Sequence, residues 1–490
     1  MRPTSVPSTP LPRVIQGGMG IGVSNWRLAN VVSRLGQLGV VSGTVIDTVF
    51  VRRLQDGDPG GHVRRALAHF PIPGVADELL RRYFREGGRG KDEPYHLLPM
   101  YKQVVSAARQ RVTVTAAFVE TWLAREGHEH AVGVNLLTKV QMPNLPTLYG
   151  AMLAGVATVI MGAGIPREIP GALDALAEHG VATLRFDVEG ARDDNALLRF
   201  DPADLWPDRA LPSTPLLRPA FYPVVSAVSL AATLARKSNG RVDGFVVEGP
   251  TAGGHNAPPR GTLTLDDRGQ PVYGERDMVD LARMAELGLP FWVAGGAGTP
   301  EGLRAAEEAG AAGVQVGTLF AYCEESGLAP ELRQTVLEGV RCGTVSVHTD
   351  PRASPTGYPF KVVQITSNIG GHQVSSPLHG SRERLCDLGY LREAIRLDDG
   401  RLVYRCAAEP VDAYVKKGGT VEATVGRQCL CNGLLADVGL GQRRETGVEP
   451  PLVTSGDDLA SVGLLSRNGP YSAADVVAWL LGSDRRAPVV

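Results

Sequence analysis

Short apolar runs that end in glycine alternate with segments of helical periodicity along most of the chain. The apolar runs are 13–20, 38–44, 130–138, 156–164, 181–190, 221–227, 244–249, 290–298 and 311–320. Strands with both faces buried read as nearly continuous apolar runs, so the alternation predicts a parallel sheet. About eight strand–helix units over roughly 300 residues favour an α/β fold of the closed (β/α)8 TIM barrel type. A doubly wound open sheet is the alternative architecture.

Two regions depart from this alternation. Residues 45–129 contain mostly helical, arginine-rich pieces and predict a helical insertion after the second strand of a barrel spanning 13–320. Residues 321–490 predict a C-terminal extension that packs on the barrel. The extension should contain a strand at "YPFKVVQ" and two capped helices that start near Ser455 and Ser472, each with an Asp three residues later.

Composition and charge are those of an ordinary soluble protein. The 490 residues are 43% hydrophobic and 21% charged, with a formal net charge of −2. This balance indicates no nucleic acid or anionic membrane as partner. The first residues lack the apolar stretch of a signal peptide, and "AMLAGVATVIMGAG" is too short and too glycine-rich to span a bilayer. Because six cysteines are too few for a secreted disulfide framework, we expect a cytoplasmic protein. The protein could be a monomer or a homo-oligomer.

Glycines concentrate where the predicted strands end, which is the face on which such barrels carry their chemistry. Gly295-Gly296 follow the seventh strand, and Gly317-Thr318 follow the eighth. Backbone N–H groups at these two places typically bind phosphate. Flavin mononucleotide (FMN) has one phosphate and needs flat contact along its ring, so these glycines indicate an FMN-binding site. The alternative is that these glycines only form tight turns.

The stretch "EGPTAGGHNAPPRG" adds a reactive group to the same face. Two glycines allow the strand end to pass close to a bound ring, and the prolines after His255 hold the loop open. An imidazole can exchange protons near neutral pH, so His255 is the candidate catalytic residue. A structural histidine is the alternative. Asn256 and Arg260 follow in the loop as candidate substrate contacts, Arg260 for an anion.

The order of "IQGGMG", "GVNLL", "GGH", "VAGGAG" and "GVQVGTLF" resembles the nitronate monooxygenase family, over roughly residues 13–365. Flavin-dependent enoyl-acyl-carrier-protein reductases belong to the same superfamily. The resemblance implies FMN across the barrel mouth and an active-site histidine at His255. It implies flavin and phosphate contacts at Gly18, Met19, Gly20, Asn135, Gly254, Gly295, Gly296, Gly317 and Thr318.

The tail departs from plain nitronate monooxygenases. Its motif, "CDLGYLR…YRCAAEPV…KKGG…GRQCLCNGL", is similar to the tails of stand-alone enoyl reductases that serve polyketide and polyunsaturated fatty acid synthases. Three functions therefore stay open. The first is nitronate oxidation with O2. The second is reduction of an enoyl thioester by NAD(P)H through FMN, with an acyl carrier protein as possible partner. The third is a non-catalytic flavin-binding scaffold.

Two further features have competing interpretations. The arginine pairs Arg52-Arg53, Arg64-Arg65 and Arg81-Arg82 suit a pantetheine phosphate or an acidic carrier protein, or else form solvated helix faces. The tail cysteines Cys386, Cys406, Cys429 and Cys431 suit a tetrahedral Zn or iron–sulfur site, or else are small buried hydrophobes. The single residue between Cys429 and Cys431 is a poor match to the usual metal-site spacing.

Overall fold

The computed structural model describes residues 10–190, 196–369, 372–377 and 382–482. Most of the proline-rich N-terminal segment lies outside the described residues. Within them, eight parallel strands form one sheet, each hydrogen-bonded to the next. In chain order the barrel strands are Val14–Gln16, Gly39–Ser42, Val132–Leu137, Thr158–Gly162, Ala220–Val225, Phe245–Glu248, Phe291–Ala294 and Gly313–Val316.

The sheet closes on itself, as the barrel prediction requires. The first strand pairs in parallel with the eighth, Ile15 opposite Gln315. On its other side Ile15 bridges Leu38, which precedes the second strand. The N–H of Gln16 donates to the Leu38 carbonyl at 2.9 Å, and the Leu38 N–H donates to the Val14 carbonyl at 3.1 Å. The fold is therefore a (β/α)8 barrel, and the open-sheet alternative is wrong.

The strands alternate between two apolar layers because successive side chains point to opposite faces. One layer fills the barrel and the other packs under the helices. The interior cluster is Ile15, Leu38, Val40, Ile160, Tyr222, Val246, Trp292 and Ala294. Neighbours in sequence, such as Val14, Val41 and Phe245, belong to the outer core. Burial on both faces explains why these strands read as continuous apolar runs.

Helices surround the barrel, and the last of those up to residue 342, Pro330–Cys342, already belongs to the extension. Up to residue 342 they are Trp26–Arg34, Ile46–Gln55, His62–Leu67, Val75–Tyr83, Ala107–Arg125, Asn144–Leu153, Ile169–Ala177, Val228–Lys237, Leu281–Ala285, Pro300–Glu308, Thr318–Ala321 and Pro330–Cys342. Short 3-10 turns are Pro59–Gly61, Pro202–Leu205, Pro207–Arg209 and Glu275–Asp277. Helix Ala107–Arg125 packs against both Trp26–Arg34 and Asn144–Leu153. It thus takes the place of the barrel helix after the second strand.

The segment 181–190 is not a barrel strand. Ala182–Arg185 pairs antiparallel with Leu197–Phe200 in a separate two-stranded sheet. Val188–Glu189 pairs in parallel with Glu393–Arg396 of the extension. Ala182–Arg185 alternates buried and exposed residues, as expected of a strand with one face in solvent.

The C-terminal extension combines small sheets with short helices. Its strands are Val345–Asp350, Phe360–Ile369, His372–Pro377, Glu393–Arg396, Leu402–Arg405, Arg443–Arg444 and Gly447–Val448. Its helices are Val411–Lys416, Val421–Thr424, Leu430–Asp437, Leu459–Leu465 and Ala473–Leu481. Ser472 and Asp475 form the predicted capping box. The other cap prediction is wrong: Asp458, not Ser455, caps its helix by accepting from the Ser461 N–H.

Candidate functional site

One large cleft lies at the carboxyl ends of the barrel strands. Its cavity of about 240 Å³ far exceeds the ~10–15 Å³ that a single water needs. His255 and every residue assigned to the cofactor from sequence line this cleft: Gly18, Met19, Gly20, Asn135, Gly254, Gly295, Gly296, Gly317 and Thr318. The fold thus brings these separate motifs together, and their individual roles remain predictions.

Close packing under the cleft requires glycine at position 18. A Cβ on Gly18 would lie 2.1 Å from the Cβ of Asn135, well inside van der Waals contact. The Asn135 side chain also donates from Nδ2 to the Gly18 carbonyl at 3.0 Å. Asn135 therefore holds the first-strand turn, and its amide is partly occupied by backbone.

The ends of the seventh and eighth strands form a corner suited to an anion. Gly295 and Gly296 have φ values of 88° and 71°, the left-handed region that favours glycine. Among the described residues the N–H groups of Gly296, Gly317 and Thr318 have no hydrogen-bond acceptor. The buried Gln315 Oε1, which also lines the cleft, likewise lacks a partner within the described part of the chain. Such unpaired polar groups are costly unless a ligand satisfies them.

The extension reaches into this same corner. The Gly456 N–H donates to Thr318 Oγ1 at 3.0 Å, and the Asp457 N–H donates to the Thr251 carbonyl at 3.1 Å. Lys361, almost fully buried, places its ammonium 2.8 Å from the Asp457 carboxylate. No sequence motif indicated that the extension contributes to the site. The contact joins residues about 140 positions apart, and no local pattern reports it.

His255 is fixed by the extension on two sides. Its Nε2 lies 2.7 Å from Ser354 Oγ, and its ring meets Phe360 edge-on at 4.9 Å between centroids. The backbone on either side is paired, because the Lys361 N–H donates to the Gly254 carbonyl and the Asn256 N–H donates to the Pro359 carbonyl. Burial lowers the pKa of His255 to about 4. The imidazole is therefore neutral at pH 7, so one ring nitrogen is available to accept a proton.

Three carboxyl groups line the cleft, those of Glu248, Asp437 and Asp458, and none was assigned to the site from sequence. Glu248 ends the sixth strand, and Asp437 ends helix Leu430–Asp437. Burial raises the pKa of Glu248 and of Asp437 to about 8, so both are mainly protonated at pH 7. The sequence did contain a signal for Glu248, because a glutamate lies near the end of the apolar run "GFVVEG". No local pattern marked Asp437.

The extension also forms an apolar wall of the cleft, from Tyr390, Leu391, Leu430, Cys431 and Leu434. A buried ion cluster anchors this wall to the barrel. Asp47 accepts from Tyr390 at 2.5 Å and from Tyr101 at 2.6 Å, and Arg109 Nη1 lies 2.7 Å from it. Burial opposes ionisation, but Arg109 and the two tyrosines outweigh it and hold the pKa of Asp47 below its usual value. The insertion and the extension thus meet through one buried carboxylate.

The two substrate candidates lie outside the cleft. Asn256 is buried and donates from Nδ2 to the Ala252 carbonyl at 3.0 Å, which makes it part of the loop's own structure. Arg260 lines a second, smaller cavity, and its backbone N–H donates to Asp277 at 2.8 Å.

The arginine pairs mostly serve internal contacts. Buried Arg52 donates to the Leu440 carbonyl, and Arg53 pairs with Glu120. Arg64 pairs with Asp58, and Arg65 pairs with Glu126. Arg81 and Arg82 are exposed on helix Val75–Tyr83.

The metal prediction for the tail cysteines is wrong. Nowhere in the described ranges do three or more His, Cys, Asp or Glu side chains form a group that could hold a metal ion. Cys386 and Cys406 hydrogen-bond to each other instead; this contact lowers the pKa of Cys386, and the contact and burial raise that of Cys406. Burial also raises the pKa of Cys429 and of Cys431. Cys406, Cys429 and Cys431 are buried and pack as small hydrophobes, whereas Cys386 is half-buried.

The fold and the cleft define a (β/α)8 barrel with its ligand site at the carboxyl ends of the strands. Residues 217–350, which contain His255 and the glycines of the anion corner, match the family model described as nitronate monooxygenase. Over these residues the chain is similar to the nitronate monooxygenase family.

Individual relatives match only part of the chain. It is 30% identical over 145 residues to a probable nitronate monooxygenase of Staphylococcus haemolyticus, covering 29% of this chain and 39% of that protein. It is 36% identical over 103 residues to a probable nitronate monooxygenase of Bacillus subtilis, covering 21% and 28%. The matches thus span well under half of these relatives. The solved structure of FabK from Thermotoga maritima is 16% identical with a TM-score of 0.44, covering 96% of this chain and 92% of that one.

Among the described helices, none is both long and apolar enough to cross a membrane.

Proposed function

We propose that the cleft binds FMN and that the protein is an FMN-dependent oxidoreductase. The phosphate would lie on the unpaired N–H groups of Gly296, Gly317 and Thr318, where it would satisfy donors that lack acceptors among the described residues. The flavin ring would lie along the first-strand turn at Gly18, where a side chain has no room. When bound, FMN supplies hydride transfer, and the protein supplies position, proton transfer and exclusion of water.

For the substrate, we propose an enoyl thioester reduced at the expense of NAD(P)H. The observation that carries this choice is the charge of the cleft: no Lys or Arg lines it among the described residues. Glu248 and Asp437 are mainly protonated at pH 7, and His255 is neutral. A weakly charged, partly apolar cleft favours an uncharged acyl group over a small anion. An acyl carrier protein would be a suitable source of the thioester.

Oxidation of an alkyl nitronate is the second candidate, and the family match over residues 217–350 favours it. A nitronate is an anion, however, and the cleft offers it no cationic side chain in the described structure. In either reaction His255 would be the proton-transfer group, with Ser354 holding its Nε2.

The test is anaerobic reduction of the FMN-loaded protein, followed by addition of each acceptor. Bleaching by NADH or NADPH and reoxidation by a crotonyl thioester are expected. Bleaching by an alkyl nitronate, but not by NAD(P)H, would support the second candidate instead. FMN binding without either reaction would indicate the scaffold, and failure to bind FMN would overturn the proposal.

His255→Ala is expected to keep FMN and to lower turnover by about 10² to 10⁴-fold, the usual contribution of a positioned proton-transfer group. The matched control is His130→Ala, because His130 is exposed and does not line the cleft. Normal turnover in His255→Ala, measured with the substrate that the wild type accepts, would refute this role.

A further inference from the structure

Glu248 separates the large cleft from a second cavity. That cavity measures about 20 Å³, which is room for about one water molecule. Glu248 lines both spaces. Among the described residues its carboxyl group has no hydrogen-bond partner, although most of it is enclosed by protein. The other residues around the small cavity are Ser226, Gly249, Pro250, Ala257, Pro258, Arg260, Tyr273 and Asp277.

The small cavity leads toward solvent. Arg260 and Pro258 are exposed, and Asp277 is partly exposed. The acidic, basic and phenolic groups of the small cavity near Glu248 are Arg260, Asp277 and Tyr273, and the cleft that Glu248 also lines contains His255, Asp437 and Asp458. The strand neighbour opposite Glu248 is Ala294, which carries no charge. A water in the small cavity would therefore have polar partners on one side and the Glu248 carboxyl on the other.

The proposed reaction needs a proton from solvent in every turnover. Reduction of the double bond adds one hydride and one proton: NAD(P)H + H⁺ + C=C gives NAD(P)⁺ + H–C–C–H. His255 is neutral at pH 7 because burial lowers its pKa to about 4, so it holds no spare proton of its own. Another group must bring the proton into a cleft that the extension covers.

We propose that Glu248 is this group, relaying protons from solvent to the cleft through the water-sized cavity. The carboxylic acid gives its proton to the cleft side, directly to the substrate carbanion or through His255. The resulting carboxylate then takes a proton from the water in the small cavity, which exchanges with solvent beside Arg260 and Asp277. The inference rests on the proposed function. It accounts for an enclosed acid without partners, and it explains why Arg260 lies beside this cavity and not in the cleft.

The test compares Glu248→Gln with the exposed control Glu275→Gln in the FMN holoenzyme. The first readout does not depend on turnover. Infrared spectra of the wild type at neutral pH should show a protonated carboxylic acid that titrates near pH 8. Asp437 contributes a second protonated acid with a similar pKa, so Glu248→Gln should remove only the Glu248 part of the signal and Glu275→Gln should leave the signal unchanged. A Glu248 that is already ionised at pH 6 would overturn the proposal.

The second readout is the pH profile of kcat. Wild-type kcat should fall above about pH 8 as the acid ionises. Glu248→Gln should lose about 10²-fold in kcat at pH 7 with little change in KM, and should lack this alkaline decline. Ala257→Leu fills the small cavity and leaves Glu248 in place, and it should slow turnover in the same way. This second variant tests the relay even if Glu248→Gln fails to fold. Wild-type profiles in both variants would refute the relay, whereas a wild type without reductase activity would refute the proposed function instead.

Discussion

The cluster around Asp47 allows a quantitative test of how the extension is attached. Asp47→Asn keeps the shape of the side chain but removes the charge that compensates Arg109. Both groups are buried, with side chains only 1% and 5% exposed, so the variant leaves an unpaired guanidinium in the protein interior. Breaking a buried pair from one side costs about 3–5 kcal/mol. Tyr390→Phe removes the hydrogen bond to the charged Asp47 together with the contacts of the hydroxyl with Arg109 and Thr48, and should cost at least about 1.5–3 kcal/mol.

The assay is urea unfolding at pH 7 and again at acid pH. Folding lowers the pKa of Asp47, so its stabilisation is present above the unfolded pKa of about 4 and is lost as pH falls through the folded value. The difference between wild type and Asp47→Asn should therefore shrink on acidification. Tyr83→Phe is the matched control, because the Tyr83 ring is buried but its hydroxyl makes no hydrogen bond within the described structure, and it should change stability little. A loss under about 1 kcal/mol in Asp47→Asn, or a difference that does not depend on pH, would refute the reasoning.

Two further outcomes follow from the packing of the cleft and of the tail. Gly18→Ala forces a Cβ to within 2.1 Å of the Asn135 Cβ. We therefore expect the free energy of unfolding, measured with heat or urea, to fall by about 1–3 kcal/mol, and FMN binding, measured by fluorescence titration, to weaken. The control Gly274→Ala, where space is open, should change neither quantity. Equal behaviour of the two variants would contradict the close packing at Gly18. Elemental analysis should find neither Zn nor Fe in stoichiometric amount, and Cys386→Ser should keep its fold in chelator; metal lost together with structure would restore the metal hypothesis.

The barrel could be predicted from sequence because its strands bury both faces. Val14–Gln16, Gly39–Ser42 and Thr158–Gly162 are buried at every position and therefore read as apolar runs. The same criterion, applied more strictly, excludes 181–190, where Thr183 and Arg185 point to solvent. Helix Ala107–Arg125 was assigned to the insertion because chain position alone cannot show which helix packs next to the second strand.

The candidate site was predictable only where one segment carries its own signal. Glycines at strand ends and His255 lie within short motifs, and the fold gathers them into one cleft. Ser354, Asp437 and Gly456 belong to the site through contacts between distant segments, which no local spacing encodes. Arg260 shows the reverse case, because proximity in sequence to His255 did not place it in the same cavity.

The contact of Gly456 with Thr318 also sets an order of events during synthesis. The barrel strands are complete once residue 318 has emerged, but the corner at Thr318 gains its last partner only with residue 456, 138 positions later. At about 5–20 residues per second, the ribosome needs roughly 7–28 s to make that stretch. Throughout this interval the corner at Thr318 lacks this partner. A nascent chain therefore presents an open barrel mouth first, and the finished cleft forms only when the extension returns to it.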